Sequence, residues 1–151
     1  MPRIKSHIVS LSFVALTAVL PGQSRAQDAA QAAAQAARDE IAATFGAVPT
    51  FINQVPDAAL PGLWTELKML EMSDETALDL KTKALISLAV ASTIPCDYCI
   101  WMDTNTARQA GATDQEIGEA VALAGMTRNW STIFHGLQVD FATFRKELGG
   151  S

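Results

Sequence analysis

Apolar positions along this chain recur at helical spacing, and no stretch of alternating β-branched residues or Asn-Gly or Asp-Gly hairpin turn interrupts them. The pattern predicts an all-α domain of about six helices. Residues 28–45 are rich in alanine and glutamine, good helix formers with a thin apolar face, and Gly46 ends them. Residues 47–56 carry Pro49 and Pro56 around Phe51 and Ile52, which predicts an extended connector that tucks Phe51 onto the core. A helix follows from Pro61 to about Met72, with Leu63, Leu67 and Leu70 on one face.

The next helix, Leu80 to about Thr93, is apolar almost all round between Ala84 and Ala91, the pattern of a buried central element. Pro95 stops it. A fourth helix is expected from about Asp97 to Ala110, stopped by Gly111. Thr113 and Glu116 then form a capping box, opening a fifth helix with Ile117, Val121 and Ala124 on one face. Trp130, Phe134, Leu137, Phe141, Phe144 and Leu148 recur at alternating spacings of four and three. They predict one last helix whose stripe serves the core or a subunit interface.

Two cysteines, Cys96 and Cys99, stand at the predicted start of the fourth helix. A thiol there meets unpaired backbone N–H groups and the positive end of the helix dipole, both of which favour the reactive thiolate. By this argument Cys96 is the more acidic of the two. A bridge closing only four residues stabilises by roughly 2 kcal/mol in the chain-entropy model, the low end for disulfides. A redox role therefore suits the pair better than a staple. Zinc wants four ligands, and His135 is the only histidine beyond the N-terminal segment. No metal or other cofactor is expected, and Met69, Met72, Met102 and Met126 read as core filler rather than a copper site.

Residues 1–26 carry Arg3 and Lys5, an apolar run from Ile8 to Leu20, and Ser24-Arg25-Ala26 as a cleavage site. These are the marks of a secretory signal, and the run falls short of the roughly 20 residues that cross a bilayer. The expected product, residues 27–151, is one domain, periplasmic or secreted. Without Arg3, Lys5 and Arg25 the chain holds 8 basic against 16 acidic residues, a net charge of −8. Nucleic acid and anionic membrane are thus poor partners.

The stretch from Leu78 to Gln138 includes Leu-Asp-Leu-Lys-Thr-Lys-Ala-Leu-Ile, Cys-Asp-Tyr-Cys-Ile and Gly-Ala-Thr-Asp-Gln-Glu-Ile-Gly-Glu-Ala-Val. It resembles the AhpD-like branch of the carboxymuconolactone decarboxylase family. The resemblance implies an all-α fold, a homo-oligomer, and reduction of a small hydroperoxide with a thiol or protein electron donor to recycle the cysteines. It assigns Cys99 as the thiol that attacks peroxide and Cys96 as the one that resolves the sulfenic acid.

In that branch a histidine four residues after the second cysteine and a glutamate twelve before the first relay protons. Here those positions hold Asp103 and Ala84. An ionised Asp103, one turn beyond Cys99, opposes a thiolate there; with its pKa raised by burial it could serve as a base. The missing relay also leaves open a non-enzymatic oligomeric scaffold with a structural disulfide, or a partner that only exchanges disulfides. The decarboxylase reaction that names the family uses no cysteine pair, so Cys96 and Cys99 argue against it. Lys81, Lys83 and His135 are the remaining groups that could reach the pair.

Overall fold

The computed structural model describes residues 21–150. The expected signal segment, residues 1–26, therefore lies outside the described residues as far as position 20. Six α-helices and no strand occur among the described residues. The chain divides into two compact units, the first ending at Gly62 and the second beginning at Leu63.

In the first unit, helix α1 runs Pro21–Phe45 and stops where Gly46 takes φ +82°, a conformation that glycine adopts without a Cβ clash. Its buried stripe is Ala34, Ala37 and Ile41, spaced three and four apart, as thin as its composition implies. Residues Thr50–Gln54 form a 3-10 helix rather than an extended connector, closed by the Ile52 N–H on the Pro49 carbonyl at 3.0 Å. Phe51 is correspondingly exposed and not tucked into the core. The fixed φ of Pro49 starts the turn, and a short tight helix directs the ring outward. Arg38 of α1 donates to Asp57 at 2.7 Å and ties the helix to the segment beyond the 3-10 turn.

Helix α2, Leu60–Glu66, continues without a break into a π-helical turn, Leu67–Met72. The apolar face differs from the expected one, for Leu60 and Trp64 are buried while Leu63 and Leu70 are exposed. Leu60 and Trp64 sit four apart on one face, and the wider π turn rotates the residues after Glu66 away from it.

The second unit is built around α3, Leu80–Thr93, which packs on both α4, Asp97–Gln109, and α5, Asp114–Gly136. Asp79 caps α3 by accepting the Thr82 N–H, and Gly111, at φ +86°, follows α4. Leu88 of α3 is buried with Ala84 and Ala91 of the same helix and Ala107 of α4, and these alanines let the helices approach closely. The opposite face of α3 is uncovered: Ile86 is 49 % and Val90 54 % exposed, so α3 is buried on one side only. α4, α5 and the π-helical turn pack on α3 and leave this face open.

The capping box forms as read, with Thr113 Oγ1 accepting the Glu116 N–H and Glu116 accepting the Thr113 N–H. The expected single last helix does not form. Trp130 and Phe134 belong to α5, which ends at Gly136, and a bend with Gln138 at φ +52° leads to α6, Phe141–Glu147. Asp140 caps α6 by accepting the Thr143 N–H, which favours a fresh start there over continuation. The stripe survives the bend by folding on itself: the Phe134 ring centroid lies 5.4 Å from that of Trp130 and 5.1 Å from that of Phe144.

Candidate redox site at the start of helix α4

Cys96 is the N-cap residue of α4, with extended backbone, and Cys99 is the third residue of its first turn. A disulfide joins them across a Cα–Cα distance of 5.3 Å. The Cys99 N–H, one of the donors that a helix start leaves unpaired, points at Cys96 Sγ at 3.3 Å. The Cys96 sulfur is thus the one that receives a hydrogen bond from the start of the helix. Both cysteines are half-buried, while the residues around them stand out in solvent, Tyr98 at 88 % and Trp101 at 71 % exposure, with Ile94 beside them in sequence.

Asp103 lies on the same helix, one turn beyond Cys99. Residues four apart share a helix face, so Asp103 and Cys99 stand on the same side of α4. Burial pushes its pKa up, and the negative charge of Glu71 on the π-helical turn pushes in the same direction. Ala84, the other position where the relay of the resembled family would stand, is buried in α3 and carries no polar atom.

The cations that sequence placed nearest are engaged elsewhere. Lys81 Nζ donates to Glu116 Oε1 at 2.8 Å. Lys83, only 7 % exposed, donates to the Ser73 carbonyl at 2.6 Å, where it meets the negative C-terminal end of the π-helical turn. His135 lies exposed in an apolar groove between α5 and α6 with Trp130, Phe134 and Phe144, its Nδ1 facing the Ser131 carbonyl at 2.9 Å. Among the described residues no group of three or more His, Cys, Asp and Glu side chains converges as a metal site would require. Glu71, whose charge adds to the upward shift at Asp103, lies far before the cysteines, and no motif in the sequence marks it.

The profile of the carboxymuconolactone decarboxylase family matches residues 58–140, more than half of the chain, and spans both cysteines and Asp103. The chain belongs to this family. A crystal structure described as the alkylhydroperoxidase AhpD core from Rhodospirillum rubrum superposes with a TM-score of 0.61 and 29 % identity, covering 79 % of this chain and 91 % of that one. The fold is AhpD-like, as the resemblance implied. Over 59 residues the chain is 41 % identical to "Uncharacterized protein 4 in cox locus" of Paracoccus denitrificans. That match takes in 39 % of this chain and 53 % of the Paracoccus protein, about half its length.

Proposed function

We propose that this member of the family is a thiol peroxidase or thiol-disulfide oxidoreductase working through Cys96 and Cys99. The observation that carries the reading is the disulfide between an N-cap cysteine and the third residue of the same first turn, half-buried at the head of α4. Such a bridge closes a loop too short for much stabilisation. The likeness to a structure described as an alkylhydroperoxidase supplies the substrate class, a small organic hydroperoxide.

The Cys99 thiolate attacks the terminal oxygen of the hydroperoxide, the O–O bond breaks, the alcohol leaves and a sulfenic acid remains. The Cys96 thiol then displaces water from that sulfur and closes the disulfide. Two electrons from an external thiol or dithiol protein restore the pair, and no bound cofactor takes part. Cys96 Sγ receives the Cys99 N–H, which makes Cys96 the better leaving sulfur when that donor attacks Cys99.

The signal-like residues 1–26 support a periplasmic or secreted location, and a domain spanning 27–151. The uncovered apolar faces of α3 and α5 support a homo-oligomer. The replacement of the relay positions by Ala84 and Asp103 favours one rival, a non-enzymatic oligomeric scaffold with a permanent disulfide.

A stopped-flow titration of the reduced protein with an organic hydroperoxide separates the two, with Trp101, two residues beyond Cys99, as the fluorescent reporter. A saturable change faster than free cysteine and lost in Cys99→Ser is expected. No rate above free thiol, or both single serine variants reacting at the wild-type rate, overturns the peroxidase reading.

A further inference from the structure

Resting on the redox reading above, we infer that the disulfide is reduced by a dithiol protein with an apolar, positively charged rim, which docks on Ile94, Tyr98, Trp101 and Met102. Ile94 closes the end of α3 two residues before Cys96. Trp101 and Met102 follow Tyr98 at offsets of three and four, which puts all three on one face of α4. All four side chains are exposed, and the two sulfurs they flank are half-buried. Two aromatic rings and a methionine held in water beside a reactive bond have the composition of a protein contact, where such residues are enriched.

Charge decides which thiol carrier suits this patch. Asp97 is exposed between the two cysteines, and Asp103 stands on the Cys99 side of the same helix. The cations of α3 and α4 are engaged elsewhere: Lys81 by Glu116, Lys83 by the Ser73 carbonyl and Arg108 by Asp114. A small acidic thiol such as glutathione meets like charge here and brings no apolar surface to bury. A second copy docked about a two-fold axis brings Asp97 against its own kind, which sets this patch apart from the open faces of α3 and α5. A protein with an apolar and basic rim is complementary on both counts.

The exchange balances on two electrons. One thiolate of the partner attacks Cys99 Sγ, the bond to Cys96 breaks, and Cys96 leaves as a thiolate that accepts the Cys99 N–H. The partner's second thiolate attacks its own sulfur in the mixed disulfide and releases Cys99. The pair is reduced, the partner is left as a disulfide, and the protons of its two thiols pass to Cys96 and Cys99.

Cysteine peptides of chosen chemistry stand in for the partner. The oxidised protein is reduced with glutathione, with a short peptide whose cysteine lies among leucine, tryptophan and two arginines, and with the same peptide carrying two glutamates in their place. Rates are counted per thiolate and taken relative to dithiothreitol acting on the same variant, which corrects for any change in the bridge itself. The basic apolar peptide should exceed glutathione by about tenfold, the low end of electrostatic steering. Asp97→Asn should narrow the gap between the basic and the acidic peptide, and salt should do the same in wild type. Tyr98→Ser combined with Trp101→Ser should slow both apolar peptides several-fold and leave glutathione unmoved.

Equal relative rates for the three thiols in wild type, or a preference that survives the loss of both rings, overturns the docking surface. So does an assembly that falls apart in the Tyr98→Ser, Trp101→Ser variant on ultracentrifugation, because the patch then belongs to a second copy. A native disulfide that dithiothreitol itself leaves intact overturns the redox reading beneath the proposal.

Discussion

Lys81 Nζ on α3 donates to one oxygen of Glu116 on α5 at 2.8 Å, while the other oxygen of the same carboxylate accepts the Thr113 N–H at 2.7 Å. One side chain thus closes the capping box of α5 and clasps α5 to α3. Its pKa is lowered to about 2, first by the Lys81 hydrogen bond and then by those from Thr113. A carboxyl held below its ordinary 4.5 stabilises the folded state fully above that value and progressively less as pH falls toward 2. Thermal melts from pH 6 down to pH 2 should show stability falling below pH 4.5 in wild type, by a modest amount because the pair is solvent-exposed. Glu116→Gln should lie below wild type at pH 6 and converge with it at acid pH.

Asp103 reverses that sign. Its raised pKa means that the folded protein binds the proton more tightly than the unfolded chain, so its contribution is full at acid pH and is lost as pH rises through the folded value. Asp103→Asn, which cannot ionise, should raise the melting temperature at pH 8 and leave it nearly unchanged at pH 4.

Leu88 is 1 % exposed on the packed face of α3, among alanines that offer little to refill a void. Leu88→Ala should cost about 2–5 kcal/mol, the range for emptying such a site. Urea denaturation checks it. Val90→Ala, on the uncovered face of the same helix, should cost far less in an isolated protomer.

Reduction should leave the fold intact. The bridge closes four residues, and its loss removes about 2 kcal/mol in the chain-entropy model. Far-UV circular dichroism should be the same with and without excess dithiol, with a lower melting temperature in the reduced form.

The uncovered apolar faces should be covered in solution by other copies of the chain. Ile86 and Val90 on α3, and Leu123, Met126 and Trp130 on α5, are each at least 40 % exposed. Analytical ultracentrifugation should report a multiple of the protomer mass, and Val90→Glu or Met126→Glu should reduce it. A monomeric wild type would count against the homo-oligomer.

The sequence carried those parts of this molecule that have chemical punctuation. Pro95, Gly111 and the Thr113–Glu116 pair mark the ends of α3, α4 and α5 by capping or by breaking, and their positions agree with the structure. The cysteine spacing likewise revealed the head of α4. The π turn had no such mark, because an i→i+5 ring can form within Leu67–Met72 without a special residue, and Glu71 was missed with it. The bend before α6 was hidden by a stripe whose spacing runs on through Gln138, an ordinary residue at positive φ. Hydropathy also predicted that α3 is buried all round, whereas Ile86 and Val90 are about half exposed in the protomer.

The N-cap role of Cys96 ties the start of a helix to electron count. Oxidised, its sulfur is fastened covalently to the first turn and receives the Cys99 N–H. As a neutral thiol it is a weak acceptor, and as a thiolate a charged one. The opening turn of α4 therefore exists in three grades of firmness, one for each chemical form of a single atom. Hydrogen exchange at the Cys99 amide would read them directly, at a turn whose Tyr98 and Trp101 stand exposed to solvent.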